Sequence, residues 1–149
     1  MNECLQCSLN ILNYSKFSDF YREILPNLTS QNNLNINVSF GIKRLIAQLR
    51  LSHKYNIYIL VNKIKYTIDT TVNCMVCNRQ ETENLYHLLF VCPIYQSLRR
   101  VYLAGWFQND DINVSNYYKI LTNLVAGKIN SIFYFVVGAL KLRSFCLYE

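Results

Sequence analysis

Cys74-Met75-Val76-Cys77, followed by His87 and then Cys92, forms the pattern C-x2-C-x9-H-x4-C in the middle of the chain. A C-x2-C pair brings two thiolates to one tight turn, and the histidine and last cysteine supply a second pair of ligands. Three thiolates and one imidazole suit the tetrahedral coordination that Zn²⁺ prefers. Because four protein ligands leave no open position for water or substrate, the spacing predicts one structural zinc ion and no catalytic metal.

Other interpretations of these residues stay open. Free cysteine is among the most buried residue types, so the four side chains could be small core residues beside a core histidine. Cys74 and Cys77 could form a redox pair, although no βαβ pattern surrounds them. A further pair, Cys4 and Cys7, has no partner pair that would complete a second zinc site.

One helix is predicted before the metal loop, and the segment after it is ambiguous. Ser39 can cap a helix over residues 40–52. Its apolar residues recur at the spacing of a buried stripe and are Ile42, Leu45, Ile46 and Leu49. The β-branched run at residues 57–61 fits either a strand or a helix, and we interpret it as a short helix.

The N-terminal region is predicted to be separate from the rest. Residues 15–25 are interpreted as a helix stopped by Pro26, and the Asn-rich residues 27–37 as a linker, since Asn favours turns. Residues 1–38 are therefore assigned to this helix and linker. Residues 39–149 are assigned to one helical domain with its zinc knuckle at residues 74–92.

After the metal loop the pattern is helical throughout. Thr82 can cap a helix that continues through His87, and Pro93 suits the first turn of the next helix, which Gly105 closes. Ser115 can cap a further helix that ends at Gly127.

The last helix is predicted over residues 128–147. Its most apolar stretch, residues 132–140, is shorter than the ~20 residues of a membrane span, so a buried helix is the better interpretation. The predicted fold class is therefore mainly α: a small helical domain with a central CCHC zinc knuckle between helices.

Composition and the first residues indicate the size of the core, the cellular compartment and the charge of a partner. The chain has 149 residues and 52% hydrophobic residues, enough for a real core. Its first residues contain neither the basic nor the apolar region of a signal peptide, so we expect an intracellular, cytoplasmic or nuclear protein rather than a secreted one. The net charge of +6 favours an anionic partner.

The knuckle and its surroundings resemble the zinc-binding C-terminal region of non-LTR retrotransposon (LINE-type) reverse transcriptases. The residues that carry the resemblance are Cys74-Met75-Val76-Cys77, Glu81 and Glu83, the run Leu85-Tyr86-His87-Leu88-Leu89-Phe90-Val91-Cys92-Pro93-Ile94-Tyr95, and Leu98-Arg99-Arg100. Residues 45–54, Leu-Ile-Ala-Gln-Leu-Arg-Leu-Ser-His-Lys, are similar to a Leu-Arg-x-x-His segment that precedes the knuckle in this family, and residues 139–143 resemble its closing helix. Residues 55–61 depart from the family's pattern, which often has an acidic residue and a Gly-Arg pair there.

The resemblance implies a tail module that helps to hold template RNA or target DNA while another domain polymerises. The chain itself is expected not to be an enzyme, because the reverse transcriptase catalytic domain is absent and Asp110-Asp111 is better interpreted as a solvated turn than as a two-metal site. The alternatives are a zinc-stabilised module that docks on other reverse transcriptase domains, or an inert remnant of such an element.

Basic residues mark where RNA or single-stranded DNA would bind. Residues 24–68 contain six Lys and Arg and no acid. On a helical wheel, Lys43, Arg50 and Lys54 fall within about 40° of one another. The predicted nucleic-acid-binding residues are Lys43, Arg44, Arg50 and Lys54, with Arg79, Arg99 and Arg100 as a second patch beside the zinc. The basic stripe fits a solvated helix face as well.

Overall fold

The computed structural model describes residues 36–52, 55–106, 117–122 and 124–148. Their main elements are α1 (Phe40–Arg50), β1 (Asn56–Val61), β2 (Ile64–Asp69), α2 (Gln96–Tyr102) and α3 (Ala126–Tyr148). Short helical turns are His87–Val91, Pro93–Tyr95, Ala104–Trp106 and Tyr117–Leu121. The fold is mostly helical, as predicted, with a small two-stranded sheet in addition. The predicted helix at 15–25 lies outside the described residues.

Helix α1 begins as the sequence predicts. The Ser39 side-chain oxygen accepts a hydrogen bond from the Ile42 amide, which satisfies one of the free amides of the first turn. Leu45, Ile46 and Leu49 are buried and Ile42 is partly buried, so the predicted stripe faces the core. The helix ends at Arg50, two residues before the predicted end.

The short helix predicted at residues 57–61 is wrong, because this segment is strand β1 of an antiparallel hairpin with β2. Asn62 and Lys63 both have positive φ, 49° and 68°, as the two central residues of a type I′ hairpin turn do. Side chains along β1 alternate: Ile57, Ile59 and Val61 are buried, and Tyr58 points to solvent. A helix would have placed Ile59 on the face opposite to Ile57 and Val61.

The hairpin packs on α1 through its buried face. Gln48 of α1 also accepts a hydrogen bond from the Leu60 amide at 3.1 Å. This amide would otherwise be an unpaired donor on β1, so the contact closes part of a sheet edge.

The predicted helix ending at Gly127 is also wrong. Ser115 lies outside the described residues, and residues 117–121 form only a 3₁₀ turn. The turn stops at Leu121, whose carbonyl oxygen is taken by the Arg50 side chain instead of by a following helical amide. Gly127 lies inside α3, which starts at Ala126.

Helix α3 forms the centre of the packing, as predicted, and it contacts both α1 and α2. Its buried residues are Ile129, Ile132, Phe135, Val136, Ala139 and Leu140. At the crossing with α2, a Cβ placed on Gly138 would lie 3.3 Å from two side-chain carbons of Leu98, so glycine permits a close approach of the two helices. Tyr102 and Tyr134 pack nearby with ring centroids 6.1 Å apart.

By length and composition alone, α3 is long and apolar enough to cross a membrane, with a mean hydropathy of 1.3 over 18 residues. It extends well beyond the apolar stretch from which we predicted a buried helix. The same criterion is met by core helices of soluble proteins, and one face of α3 is buried in this core. The absence of a membrane partner stays a prediction.

Candidate metal centre

The four predicted ligands converge in the fold. The Sγ atoms of Cys74, Cys77 and Cys92 and a ring nitrogen of His87 all lie within 4.8 Å of one another, and all four residues are buried. Cys77 Sγ lies 3.3 Å from His87 Nε2, close to the roughly 3.5 Å that tetrahedral bonds to one zinc would give. The three cysteines are free thiols without a disulfide, so the cluster could bind one metal ion.

The first ligand pair lies on a loop closed by backbone hydrogen bonds. The Cys74 amide donates to the Glu81 carbonyl at 2.8 Å, and the Glu83 amide donates to the Val72 carbonyl at 3.1 Å. Asn73 pairs with Thr82 in an isolated bridge between these bonds. These bonds hold together the segments before and after the C-x2-C turn, so the turn is fixed beside the second ligand pair.

The second ligand pair is brought together by a π-helical turn, His87–Val91. The Cys92 amide donates to the His87 carbonyl at 2.8 Å, five residues earlier, so the wider turn returns Cys92 beside the histidine. The predicted Thr82 cap is wrong: Asn84 Oδ1 accepts from the His87 amide at 2.8 Å. Thr82 is held in the bridge and stands too early to cap.

The Glu81 carboxylate lies beside the ring nitrogen of His87 that faces away from the cysteines. Its Oε2 lies 3.0 Å from His87 Nδ1, on the opposite side of the ring from Cys77. A proton on Nδ1 donates to this carboxylate and leaves the Nε2 lone pair available to a metal, the usual arrangement for metal-bound histidine. Glu81 was named above only among the residues that carry the family resemblance. Its position as an acidic residue between the two ligand pairs is the feature of the sequence that could have indicated this contact.

We expect Glu81→Gln to weaken zinc affinity by roughly 10- to 100-fold, because outer carboxylates of metal-bound histidines typically contribute this much. The measurement is competition for zinc with a chromophoric chelator. Asp69→Asn removes the same charge at another exposed carboxylate and is the matched control. Equal affinities of the two variants would contradict the assigned role of Glu81.

The protein environment disfavours free thiolates in the cluster. Burial raises the pKa of the Cys92 thiol to about 12 and also raises that of Cys74. Backbone amides of Val76 and Cys77 donate toward the Cys74 sulfur and oppose this effect. Neutral pH therefore leaves the thiols of Cys74 and Cys92 protonated unless a cation supplies positive charge, and a divalent metal would do so.

A buried ion pair connects the metal loop to α3. Arg143 donates two hydrogen bonds to the Glu83 carboxylate, at 2.6 and 2.8 Å, and Glu83 is only 1% exposed. The bond to Glu83 raises the pKa of Arg143 above its ordinary value, so the charged pair is maintained. Sequence reasoning missed the pair, since 60 residues separate its members.

Two of the seven predicted nucleic-acid-binding residues, Arg50 and Arg99, are buried instead of lying on an exposed basic face. Arg50 is 5% exposed and its guanidinium donates to the Leu121 carbonyl, so it does not share a solvent face with Lys43. Arg99 is 6% exposed and donates to the Cys92 carbonyl, behind the metal ligands. A basic residue on a helical wheel can be buried when a backbone carbonyl accepts its hydrogen bonds.

The other five predicted residues differ in exposure. Lys43 and Arg44 are half-buried, and the Arg44 guanidinium lies over the Phe40 ring. Arg79 and Arg100 are exposed. Lys54 lies outside the described residues. The part of the predicted interface that remains on the surface is therefore the patch beside the metal centre, together with Lys43 and Arg44.

Arg50→Met is expected to lower the free energy of unfolding by about 1–3 kcal/mol, because the buried Leu121 carbonyl loses its donor. Denaturant unfolding measures this, with Arg100→Met as an exposed control of the same chemistry. Arg50→Met should leave the salt dependence of nucleic-acid binding unchanged. Unchanged stability combined with a shallower salt dependence would restore Arg50 as a phosphate contact.

No protein-family model, curated protein or solved structure matches this chain. The resemblance to reverse transcriptase tails therefore stays a prediction from the motif and its neighbours.

Proposed function

We propose that this chain is a helical module stabilised by one structural zinc ion, and that it binds single-stranded RNA or DNA as the tail of a non-LTR retrotransposon reverse transcriptase would. The observation that carries the proposal is the buried cluster of Cys74, Cys77, His87 and Cys92. Thiolate and imidazole donors select zinc over magnesium, calcium and manganese. Four ligands in the core leave no open coordination position, which favours a structural ion.

The net charge of the chain supports an anionic partner. It contains 15 Lys and Arg and 9 Asp and Glu, so fifteen minus nine leaves +6. Two of the acids beside the metal site are already engaged, Glu81 with His87 and Glu83 with Arg143. One zinc bound by three thiolates lowers the total by one. A surface of this charge attracts phosphates over distances of about a Debye length.

A protein-interaction module is the second candidate, and exposed apolar side chains favour it. Tyr134, Phe145 and Tyr148 of α3 are more than half exposed, as is Val101 of α2. Apolar residues grouped on one surface are typical of docking sites on other domains. In that case the zinc would only maintain the shape of the docking surface.

Salt dependence separates the two candidates. If about three phosphates of a single strand are neutralised, a logarithmic plot of the association constant against salt should have a slope near −2, from ~0.7 per contact. The measurement is fluorescence anisotropy of a labelled oligouridine RNA with the zinc-loaded full chain. Absence of binding at low salt would contradict the nucleic-acid proposal and leave the docking candidate.

A further inference from the structure

A groove lies directly beside the metal centre. Its volume is about 640 Å³, within the range of sites that hold small ligands. The lining residues come from the metal loop (Arg79), the π-helical turn (Phe90, Val91), the following 3₁₀ turn (Pro93) and the last turn of α2 (Arg99, Arg100).

All the charged residues that line the groove are basic. Arg79, Arg99 and Arg100 line it, and no Asp or Glu is among its lining residues. Arg99 is 6% exposed and its Nη1 has no hydrogen-bond partner, although its Nη2 donates to Cys92. A buried guanidinium with an unsatisfied donor and no carboxylate is costly, and an anion bound in the groove would reduce that cost.

The other lining residues are mostly apolar. Phe90 and Val91 of the π-helical turn and Pro93 of the following turn form an apolar wall beside the arginines. A ligand that fits both features combines an anionic group with a flat, weakly polar ring. Phosphate binds guanidinium groups through paired hydrogen bonds, and a nucleobase packs against apolar and aromatic side chains.

We propose that this groove binds one nucleotide, with its phosphate on Arg79 and Arg100 and its base against Phe90 and Pro93. The inference rests on the proposed function and assigns to it a specific contact site. The shared chemistry of the ligand is a nucleoside phosphate, which a single strand or a free mononucleotide can supply. Arg79 follows Cys77 by two residues, so loading of the metal loop would position one side of the groove.

The test uses the zinc-loaded full chain and a fluorescein-labelled ten-nucleotide oligouridine RNA. Arg79→Gln/Arg100→Gln changes two exposed groove residues, and Lys119→Gln/Lys141→Gln removes the same charge at two exposed lysines outside the groove. We expect the groove variant to bind at least tenfold more weakly and its salt slope to fall by about 0.7–1.4, for one or two phosphates. The lysine control should stay within about twofold of the parent.

A third variant tests the apolar wall. Phe90→Leu removes the ring but keeps an apolar side chain, and should weaken binding at least fivefold without changing the salt slope, because base stacking does not release counterions. Uridine monophosphate and uridine are then used as competitors. If uridine monophosphate displaces the RNA and uridine does not, the groove binds a free mononucleotide. If neither displaces the RNA, although the groove variant weakens RNA binding, the groove binds a nucleotide within a strand.

Equal weakening by the groove and lysine variants would overturn the proposal, because only overall charge would then matter. A parent that binds RNA with a steep salt slope, together with a groove variant of unchanged affinity, would also overturn it and leave the proposed function intact. A parent that binds no RNA would contradict both.

Discussion

Cys77→Ser is expected to abolish stoichiometric zinc binding and to unfold the metal loop, residues 74–92. The remaining three ligands no longer satisfy tetrahedral zinc, whose binding free energy in small fingers is ~10–16 kcal/mol and is largely folding energy. Here α1 also packs on the hairpin and on α3, outside the metal loop, so we expect partial unfolding. A loss of about 5 kcal/mol would lower Tm by roughly 10–20 °C in a chain of this size.

The chain offers a matched control for this substitution. Cys146 is a free cysteine exposed on α3, and Cys146→Ser should change neither zinc content nor Tm. Elemental analysis after native purification gives the zinc stoichiometry, and limited proteolysis reports the state of the loop. A strong chelator added to the parent should reproduce the Cys77→Ser result. A parent that carries no zinc under reducing, chelator-free conditions would instead make the four residues a packed core cluster.

Glu83→Leu and Arg143→Met are each expected to reduce the free energy of unfolding by about 3–5 kcal/mol. Each leaves one member of a buried, doubly hydrogen-bonded ion pair without its partner, and an unpaired buried charge is strongly destabilising. The pair joins the metal loop to α3, so either change should also loosen the contact between these two parts. Denaturant unfolding measures the effect.

Two further variants show whether the pairing is the cause. Lys141→Met alters an exposed residue of the same helix and should have little effect on stability. Glu83→Leu/Arg143→Met removes both charges, and replacement of a buried pair by apolar residues is often close to neutral, so this variant should recover much of the loss. A double variant as unstable as the sum of the single ones would show that the ion pair adds no coupling energy.

Several features that depend on local residue patterns were predicted correctly. The spacing of Cys74, Cys77, His87 and Cys92 predicts a cluster because the members of each pair are close in sequence and the loop between the two pairs is short. The Ser39 cap and the stripe of α1 depend on residues within one or two helical turns. The apolar character of α3 made its burial predictable in the same way.

The hairpin was missed because its two local signals are weak. Asn62-Lys63 adopts the positive φ values usually given by Asn-Gly, and nothing in a lysine indicates this. Tyr58 and Leu60 on the outer face are themselves apolar and hide the alternation of Ile57, Ile59 and Val61. Only packing of the inner face on α1 decided between strand and helix.

Whether each charged residue is buried or exposed was decided by the tertiary structure. Arg50 and Arg99 were expected to be part of solvent-exposed basic patches, yet each is buried and donates to a backbone carbonyl, that of Leu121 for Arg50 and that of Cys92 for Arg99. Glu83 meets Arg143 across 60 residues of sequence. The sequence alone determined the ligand cluster, since it depends on short-range spacing. The destinations of Arg50 and Arg143 were decided by partners distant in sequence, because burial of a charge requires a complementary group that only the completed fold can place beside it.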